Sequence, residues 1–269
     1  MLAHRACESG DVGWLGRMLG RASGEAPEWP STSNGSSAWH LWWHGVEGGV
    51  PIVAASVTIE VLQQPAIDRL YFWALQATFS DGRRTYGSAH TGLQWNPRHP
   101  ANRAVNWGGY GDVGDVQSVL SGSASPLPST PDDPNTRDYR WGEAWPYRLR
   151  IARGDKGWRA EVTDQVSGTT TVIRELHAGG DRLVGLVMWS EVFCSCQDPT
   201  TVVRWSAMTA ERVDGTAVHP ASVGLTFPRE GCPNTDSVAD AMGILQVSNT
   251  PRRSSDGASL AVPVHAPDA

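Results

Sequence analysis

The chain has 269 residues and a formal net charge of −6 at neutral pH. A chain of this length can form a single β-domain with a sizeable core, and its acidic balance excludes broad electrostatic binding to nucleic acid, which needs a concentrated positive field. No apolar stretch is long enough to span a membrane. Residues 1–20 lack the apolar core of a secretory signal, so the expected compartment is the cytoplasm.

Three segments follow one another along the chain. Residues 1–37 are predicted as an N-terminal extension with a short helix over 11–20 and a loop rich in Pro, Ser and Gly. Residues 38–250 are predicted as the folded domain. Residues 251–269 are small, polar and proline-containing, which predicts a disordered C-terminal tail.

A two-residue alternation of apolar and polar side chains dominates the domain. It runs through residues 71–80, continues after an Asp-Gly turn through 85–96, and so predicts a hairpin. Other alternating segments, separated by turn residues, predict strands over 56–62, 146–153, 158–164, 169–177, 182–193 and 200–210. The sequence therefore predicts an all-β fold, a two-sheet antiparallel jelly-roll-like sandwich.

A long irregular insertion interrupts this pattern between residues 96 and 145. It is expected to contain one strand over 103–107 and a mobile segment over 121–135. Loops of this length are uncommon in compact domains and tend to be functional.

Tryptophan is the compositional outlier, with 13 residues against four Phe and five Tyr. A buried indole N–H needs a hydrogen-bond partner, so Trp is a demanding residue for filling a core. Most of these rings are expected to pack in the core or against the sheets, and some are expected to face a groove.

Two residues are candidates for acid–base catalysis. Glu191 lies in an apolar strand and shares a face with Trp189 and Phe193, so its pKa is expected to be raised. The alternatives for Glu191 are a salt bridge with Arg204 or exposure at a sheet edge. His90 is the second candidate, as a proton relay, and its alternative is an ordinary surface histidine.

Seven side chains are candidates for ligand binding. Those of residues 106–111 (NWGGYG) combine aromatic rings with glycines that let a ligand approach the backbone, although a glycine-rich turn packed by its own rings is the alternative. Gln94 shares a strand face with His90. The full predicted set is Trp73, Gln94, Trp107, Tyr110, Trp189, Arg204 and Trp205.

We expect neither a cofactor nor a metal. The oxygen-rich residues Asp132, Asp133, Asn135 and Asp138 could hold calcium, but the alternative is a solvated loop. Phosphate-binding, dinucleotide-binding and nucleophile-elbow motifs are all missing. His40 and His44 share a strand face but lie about 13 Å apart, too far to chelate one ion unaided. Cys194 and Cys232 are expected as free thiols in a reducing cytosol, whereas a Cys196–Cys232 disulfide is expected if the protein is secreted.

Several segments resemble the concanavalin A-like lectin and glucanase sandwiches, and in particular uncharacterised bacterial members of that group. They are YFWALQATFSDG (71–82), TGLQWNP (91–97), VNWGGYGD (105–112), WPYRLRIARGDKGWRAEVTD (145–164) and WSEVF (189–193). The resemblance implies a sandwich fold. Glucanases of this group carry an E-x-D-x-x-E strand, which neither Glu161 with Asp164 nor the single Glu191 reproduces, so glycosidase activity is not implied.

Two functions are compatible with these observations. The first is a cofactor-independent enzyme, such as a cyclase or isomerase of natural-product metabolism, that positions an apolar metabolite in a Trp-rich pocket. The second is a lectin-like carbohydrate-binding module or a glycan-active sandwich protein. A closed apolar cavity favours the enzyme, and an open groove lined by planar Trp favours the lectin. In both cases the expected partner is a small-molecule ligand, not nucleic acid or a membrane, and the oligomeric state stays open.

Overall fold

A computed structural model describes residues 37–113, 116–129, 133–228 and 234–263. Within them the chain forms seventeen β-strands, and its one helical element is a three-residue 3-10 turn at Pro100–Asn102. All described strand pairings are antiparallel. The predicted all-β antiparallel sandwich is therefore confirmed, while the short helix predicted over 11–20 lies outside the described residues. No helix in the described ranges has the length and apolarity needed to cross a bilayer.

The first sheet contains both the N-terminal strand and the central hairpin of the chain. Its order across the sheet is β17–β14–β1–β11–β3–β4–β5, and β6 and β7 both pair with the far edge of β5. The strands are β1 (Ser37–His44), β3 (Tyr71–Ser80), β4 (Thr85–Trp95), β5 (Arg103–Val113), β6 (Val116–Val119), β7 (Thr136–Asp138), β11 (Arg182–Val192), β14 (Ser222–Thr226) and β17 (Ser259–Ala261).

The second sheet packs against the first. Its order is β10–β9–β8–β2–β12–β16–β15, with β13 beside β12. One antiparallel pair, Leu183 opposite Ile52, links the two sheets. The strands are β2 (Ile52–Gln63), β8 (Pro146–Arg153), β9 (Trp158–Asp164), β10 (Thr170–Leu176), β12 (Val202–Arg212), β13 (Ala217–Val218), β15 (Thr235–Ala239) and β16 (Ile244–Ser248).

The two-residue period places one side-chain set between the sheets. In β3, Trp73, Leu75 and Phe79 are fully buried in the core, whereas Gln76 and Thr78 point to the outer face of the first sheet. Burying a large apolar side chain in this way stabilises the fold by ~1.5–3 kcal/mol. Alternation on β3 therefore fixes both the core and the residues available to an outer surface.

Tryptophan rings fill much of that core. The rings of Phe79 and Trp158 stack with centroids 5.1 Å apart, and Trp73 meets Trp141 edge-on at 6.0 Å. Such aromatic pairs add to the stabilisation from burial. Six Trp side chains are at most 1% exposed: Trp39, Trp73, Trp107, Trp141, Trp158 and Trp205.

Two predicted segments differ from the structure. The strand predicted over 103–107 extends from Arg103 to Val113 and is followed by two further short strands in the insertion. The segment predicted as a disordered tail contains β17, which pairs with β14 and packs Leu260 against the core. Composition missed this strand because pairing to a distant sheet edge orders the segment. Residues 264–269 lie outside the described part of the chain.

The outer face of the second sheet carries paired charges. Arg204 contacts Glu60 and Asp240, each at 3.0 Å. Nearby, Arg150 bonds to Glu211 at 2.8 Å. These charges compensate one another across neighbouring strands, so this face is suited to solvent and to stability.

Candidate functional site

The outer face of the first sheet is hollowed into a cavity of about 440 Å³, here named the His90 cavity. It crosses five adjacent strands, β1, β11, β3, β4 and β5, where outward-facing side chains of each come together. Its lining residues are Ala38, His40, Gln76, Gly87, Ser88, His90, Tyr110, Trp189 and Glu191.

Aromatic rings form the floor of the His90 cavity. Phe72 and Trp189 meet edge-on at 4.8 Å, and the His90 ring lies 5.4 Å from each of them. Phe72, Ala74, Val187 and Trp189 form a buried apolar cluster separate from the main core. This second cluster holds the His90 ring in a surrounding of low polarity.

One hydrogen bond fixes the orientation of Gln76 in this cavity. The indole Nε1–H of Trp189 donates to Oε1 of Gln76 over 3.2 Å. An indole N–H can only donate, so the amide must present its oxygen to Trp189 and direct its NH₂ group elsewhere. Within the described residues no hydrogen bond occupies that NH₂ group, which leaves it as an oriented donor for a ligand.

Glu191 contributes a carboxyl group that has no ion-pair partner among the residues that the structure describes. Its cross-strand neighbours are Ala38 on β1 and Phe72 on β3, neither of which can donate from its side chain. Burial raises the pKa of Glu191 above its ordinary value. The salt bridge considered for it is absent, because Arg204 belongs to the second sheet and pairs with Glu60 and Asp240.

The pKa values of the two histidines in the cavity are lowered, in contrast to that of Glu191. Burial lowers the pKa of His90 to about 4, so its ring is neutral at physiological pH. Burial also lowers the pKa of His40, whose Nδ1 lies 3.1 Å from the hydroxyl of Thr226. A neutral imidazole presents both a donor and an acceptor, so His90 can hydrogen-bond a ligand without adding charge.

The cavity brings together four of the predicted site residues. Glu191, His90 and Trp189 line it on neighbouring strands, and Tyr110 stands at its rim with 48% of its surface exposed. These side chains come from parts of the chain up to about a hundred residues apart in sequence, and they meet only because β11 pairs with β3. Together they offer a carboxyl, a neutral imidazole and two aromatic surfaces to one ligand.

The other five predicted ligand-binding residues lie elsewhere. Trp73, Trp107 and Trp205 are buried in the core between the sheets, where no ligand reaches them without unfolding. Gln94 lies on the His90 face of β4, but it is buried, accepts a bond from Asn96 and is not part of the cavity lining. Arg204 serves the ion pairs of the second sheet.

Gln76 and His40 are the site residues that sequence reasoning missed. The two-residue alternation of 71–80 puts Gln76 on the strand face opposite Trp73, and His40 shares a strand face with His44, so the sequence holds a local signal for both. The sequence does not reveal the strand order β1–β11–β3, which makes His40 and Gln76 neighbours although their strands are distant from β11 in sequence.

Within the described ranges, no group of three or more His, Cys, Asp or Glu side chains comes together as a metal site. Cys194 is a buried free thiol. Cys196 takes part in a disulfide, and its partner lies outside the described residues.

No family model matches the sequence, and no curated protein matches it. Among solved structures, the chain is similar to scytalido-glutamic peptidase bound to a peptide-based transition state analog, with a TM-score of 0.42 and 9% identity. SCP-B, a member of the eqolisin family of peptidases in complex with the tripeptide Ala-Ile-His, gives the same values. Both alignments cover 81% of this chain and 99% of the other. A likeness at this level does not extend to function.

Proposed function

We propose that the protein is a cofactor-independent enzyme that binds a small organic molecule in the His90 cavity and transfers a proton with Glu191. The observation that carries this proposal is Glu191 itself, a carboxyl that lines a cavity without an ion-pair partner in the described chain. A half-buried carboxyl without a compensating charge costs stability, and carboxyls with a perturbed pKa cluster at functional sites.

The neighbours of Glu191 support a division of roles. A carboxyl with a raised pKa can give or take a proton near neutral pH. The oriented NH₂ group of Gln76 is suited to a carbonyl or hydroxyl oxygen, and neutral His90 can bond a second polar atom of the ligand. Cyclisation and isomerisation, the reaction classes expected from the sequence, both need this combination of positioning and proton transfer.

The size and lining of the cavity suit a ligand with both polar and apolar parts. About 440 Å³ lies within the range of small-molecule sites. Among the described residues, Trp189 is the one tryptophan and Tyr110 the one tyrosine in its lining, and Phe72 packs edge-on against Trp189. The cavity therefore has fewer Trp rings than the Trp-rich pocket expected from the sequence.

The test is a ligand titration followed by a turnover assay. Intrinsic tryptophan fluorescence is titrated with a panel of apolar polycyclic metabolites and with a panel of soluble glycans, for wild type and Trp189→Phe. We expect a saturable response to the apolar panel that Trp189→Phe removes. Compounds that bind are then incubated with wild type and Glu191→Gln, and products are measured by mass spectrometry. We expect Glu191→Gln to slow product formation at least ~100-fold, since general acid–base catalysis contributes about that much.

Two results would count against the enzyme. Equal product formation by wild type and Glu191→Gln would remove the proposed role of the carboxyl. A response to glycans alone would replace the enzyme by the second candidate.

That second candidate is a carbohydrate-binding sandwich, as in the lectin group that the sequence resembles. Two observations favour it: Tyr110 is exposed at the cavity rim, where it can stack on a sugar ring, and Cys196 is in a disulfide. Disulfides are typical of exported proteins, which meet glycans, and are rare in the cytoplasm expected from the sequence. Counting free thiols in protein purified from its own host, before and after reduction, tests the compartment: an unchanged count favours the cytoplasm.

A further inference from the structure

A second cavity of about 410 Å³ lies where β1 and β11 meet the turn before β2, and both outward-facing and core residues line it. We name it the Trp42 cavity. Its walls are the C-terminal end of β1, the turn between β1 and β2, and the first residues of β11. Six of its apolar lining residues are Trp42, Val46, Val50, Ile52, Leu183 and Val184.

The two cavities are neighbours along β1. His40 lines the His90 cavity, and Trp42 lines the other. The two rings stack with centroids 6.0 Å apart, and both hydrogen-bond to the hydroxyl of Thr226. At about 3.3 Å per residue, residues two apart on one strand face are separated by ~7 Å. The residues of β1 that line the two cavities are thus separated by a distance that one small molecule can span.

The Trp42 cavity is suited to an apolar group. The charged residues that line it are already engaged locally: Arg182 bonds to Asp181 at 2.8 Å, and Glu47 accepts a bond from the backbone of Gly45 at 3.0 Å. Trp42 and Val184, by contrast, are more than a third exposed. Covering them removes apolar surface from water, which favours binding.

A distortion of β11 borders this cavity. The register of β11 against β3 shifts between Val184 and Val187, and Gly185 adopts a left-handed φ of 58°. Bulges of this kind are frequent beside binding sites, where they redirect side chains. Val184, before the bulge, is 38% exposed and lines the cavity, and Leu186, after it, also lines the cavity while packing against the core.

We infer that the Trp42 cavity binds the apolar arm of the same ligand whose polar end lies in the His90 cavity. The substrate class is then an elongated amphipathic molecule with a carbonyl or amide at one end and an aliphatic or aromatic tail. The inference deepens the proposed function and depends on it for the polar end alone.

A homologous series of ligands tests this arrangement. The probes are primary ω-phenylalkanamides from phenylacetamide to 6-phenylhexanamide, in which the amide suits Gln76 and Glu191 while the tail grows. Dissociation constants are measured by ligand-observed NMR titration. We expect the longest amide to bind at least ~10-fold more tightly than the shortest, because each buried methylene contributes about fourfold at most.

Matched substitutions locate the tail. Val184→Trp fills the cavity, whereas Val172→Trp makes the same change at an equally exposed residue of the second sheet, 38% in both cases. We expect Val184→Trp to remove the gain in affinity that the longer tail gives in wild type. The dissociation constant of the shortest amide should stay within about twofold of the wild-type value. Val172→Trp should leave both unchanged, and thermal unfolding checks that both variants fold.

The outcomes separate the two proposals. If Glu191→Gln abolishes turnover but keeps the dependence on tail length, both stand. If no compound is turned over and the dependence persists, only the enzyme fails. Three results overturn the Trp42 assignment: an affinity that does not depend on tail length in wild type, a dependence that Val184→Trp leaves unchanged, and binding of the long amide in two independent events. Weaker binding of the long amide at higher protein concentration also overturns it, because a second copy of the chain would then be covering the Trp42 cavity.

Discussion

Glu191 differs from the carboxylates of the second sheet in what surrounds it. Glu60 and Asp240 both contact Arg204 at 3.0 Å, whereas Glu191 lies beside Ala38 and Phe72. An unpaired carboxyl in such a place keeps its proton to higher pH, because burial penalises only the charged form. The same burial that suits Glu191 to proton transfer therefore weakens the fold at neutral pH.

This cost gives a stability prediction for Glu191→Gln. The folded chain binds this proton more tightly than the unfolded chain, so the free energy of unfolding falls as pH rises from the ordinary value of 4.5 through the raised pKa. Glutamine removes the penalty, and we expect the variant to be more stable than wild type at pH 7 but not at pH 4. Urea unfolding at pH 4 and pH 7 measures the difference in free energy of unfolding between the variant and wild type. An equal difference at both pH values would show that titration of Glu191 is not its cause.

His90 gives a prediction of opposite sign. Its pKa of about 4 in the folded protein lies below its ordinary value of 6.5, so between these values the unfolded chain binds the proton and the folded chain does not. Stability from this residue is therefore lost as pH falls from 6.5 to about 4. We expect His90→Gln to lose less stability than wild type across this window, as followed by thermal unfolding. A parallel decline in both proteins would contradict the burial of a neutral ring.

At the scale of single elements, the bulge of β11 has the clearest cost. Gly185 has a φ of 58°, and a Cβ there would have only Thr78 within 4 Å, at 3.6 Å or more. Gly185→Ala thus tests backbone strain without a clash, and a left-handed conformation costs an L-residue ~1–2 kcal/mol. We expect the free energy of unfolding of the variant to fall by about 1 kcal/mol, because the lower conformational entropy of its unfolded chain offsets part of the strain.

Gly49 provides the control for this change. It has neither a left-handed φ nor a neighbour within 4 Å of an added Cβ. We expect Gly49→Ala to be neutral within about 0.5 kcal/mol. Equal effects of the two substitutions in denaturant unfolding would mean that the bulge is not held by Gly185.

Element-level patterns are also where sequence reasoning succeeded. Alternation in β3 and β4 placed Gln76 and His90 on the same sides of their strands as the structure does, because each apolar partner must enter the core. It failed where a segment depends on a distant partner. Ser259–Ala261 is ordered by pairing with β14, and three residues are too few for a two-residue alternation to indicate a strand.

At the scale of the whole molecule, the two outer faces have different roles. The second sheet places Arg204 between Glu60 and Asp240, and the first sheet leaves Glu191 and His90 facing a cavity. The sequence alone does not separate these sets, because Arg204 and Glu191 look equally suited to a ligand. Only the strand order assigns one to stability and the other to a site.

This division predicts a structural role for Arg204. Its removal leaves Asp240, whose side chain is 2% exposed, without its cation. Breaking a buried ion pair in this way costs about 3–5 kcal/mol, and we expect Arg204→Met to lower the free energy of unfolding by about 3 kcal/mol. Arg148→Met is the control, since Arg148 is 44% exposed and lies 3.8 Å from Glu211; an exposed pair contributes at most ~1 kcal/mol. Equal losses in urea unfolding would contradict the assignment.

The central claim is that Glu191 has no ion-pair partner in the described part of the chain and that burial in the His90 cavity raises its pKa. The direct measurement is an NMR titration of the side-chain carboxyl carbons in protein labelled with ¹³C-glutamate, with Glu191→Gln identifying the resonance. The account predicts a midpoint above the ordinary value of 4.5. A midpoint at or below that value would mean that a cation or a set of donors stabilises the charged form, and Glu191 would then not be the proton-transfer group of this site.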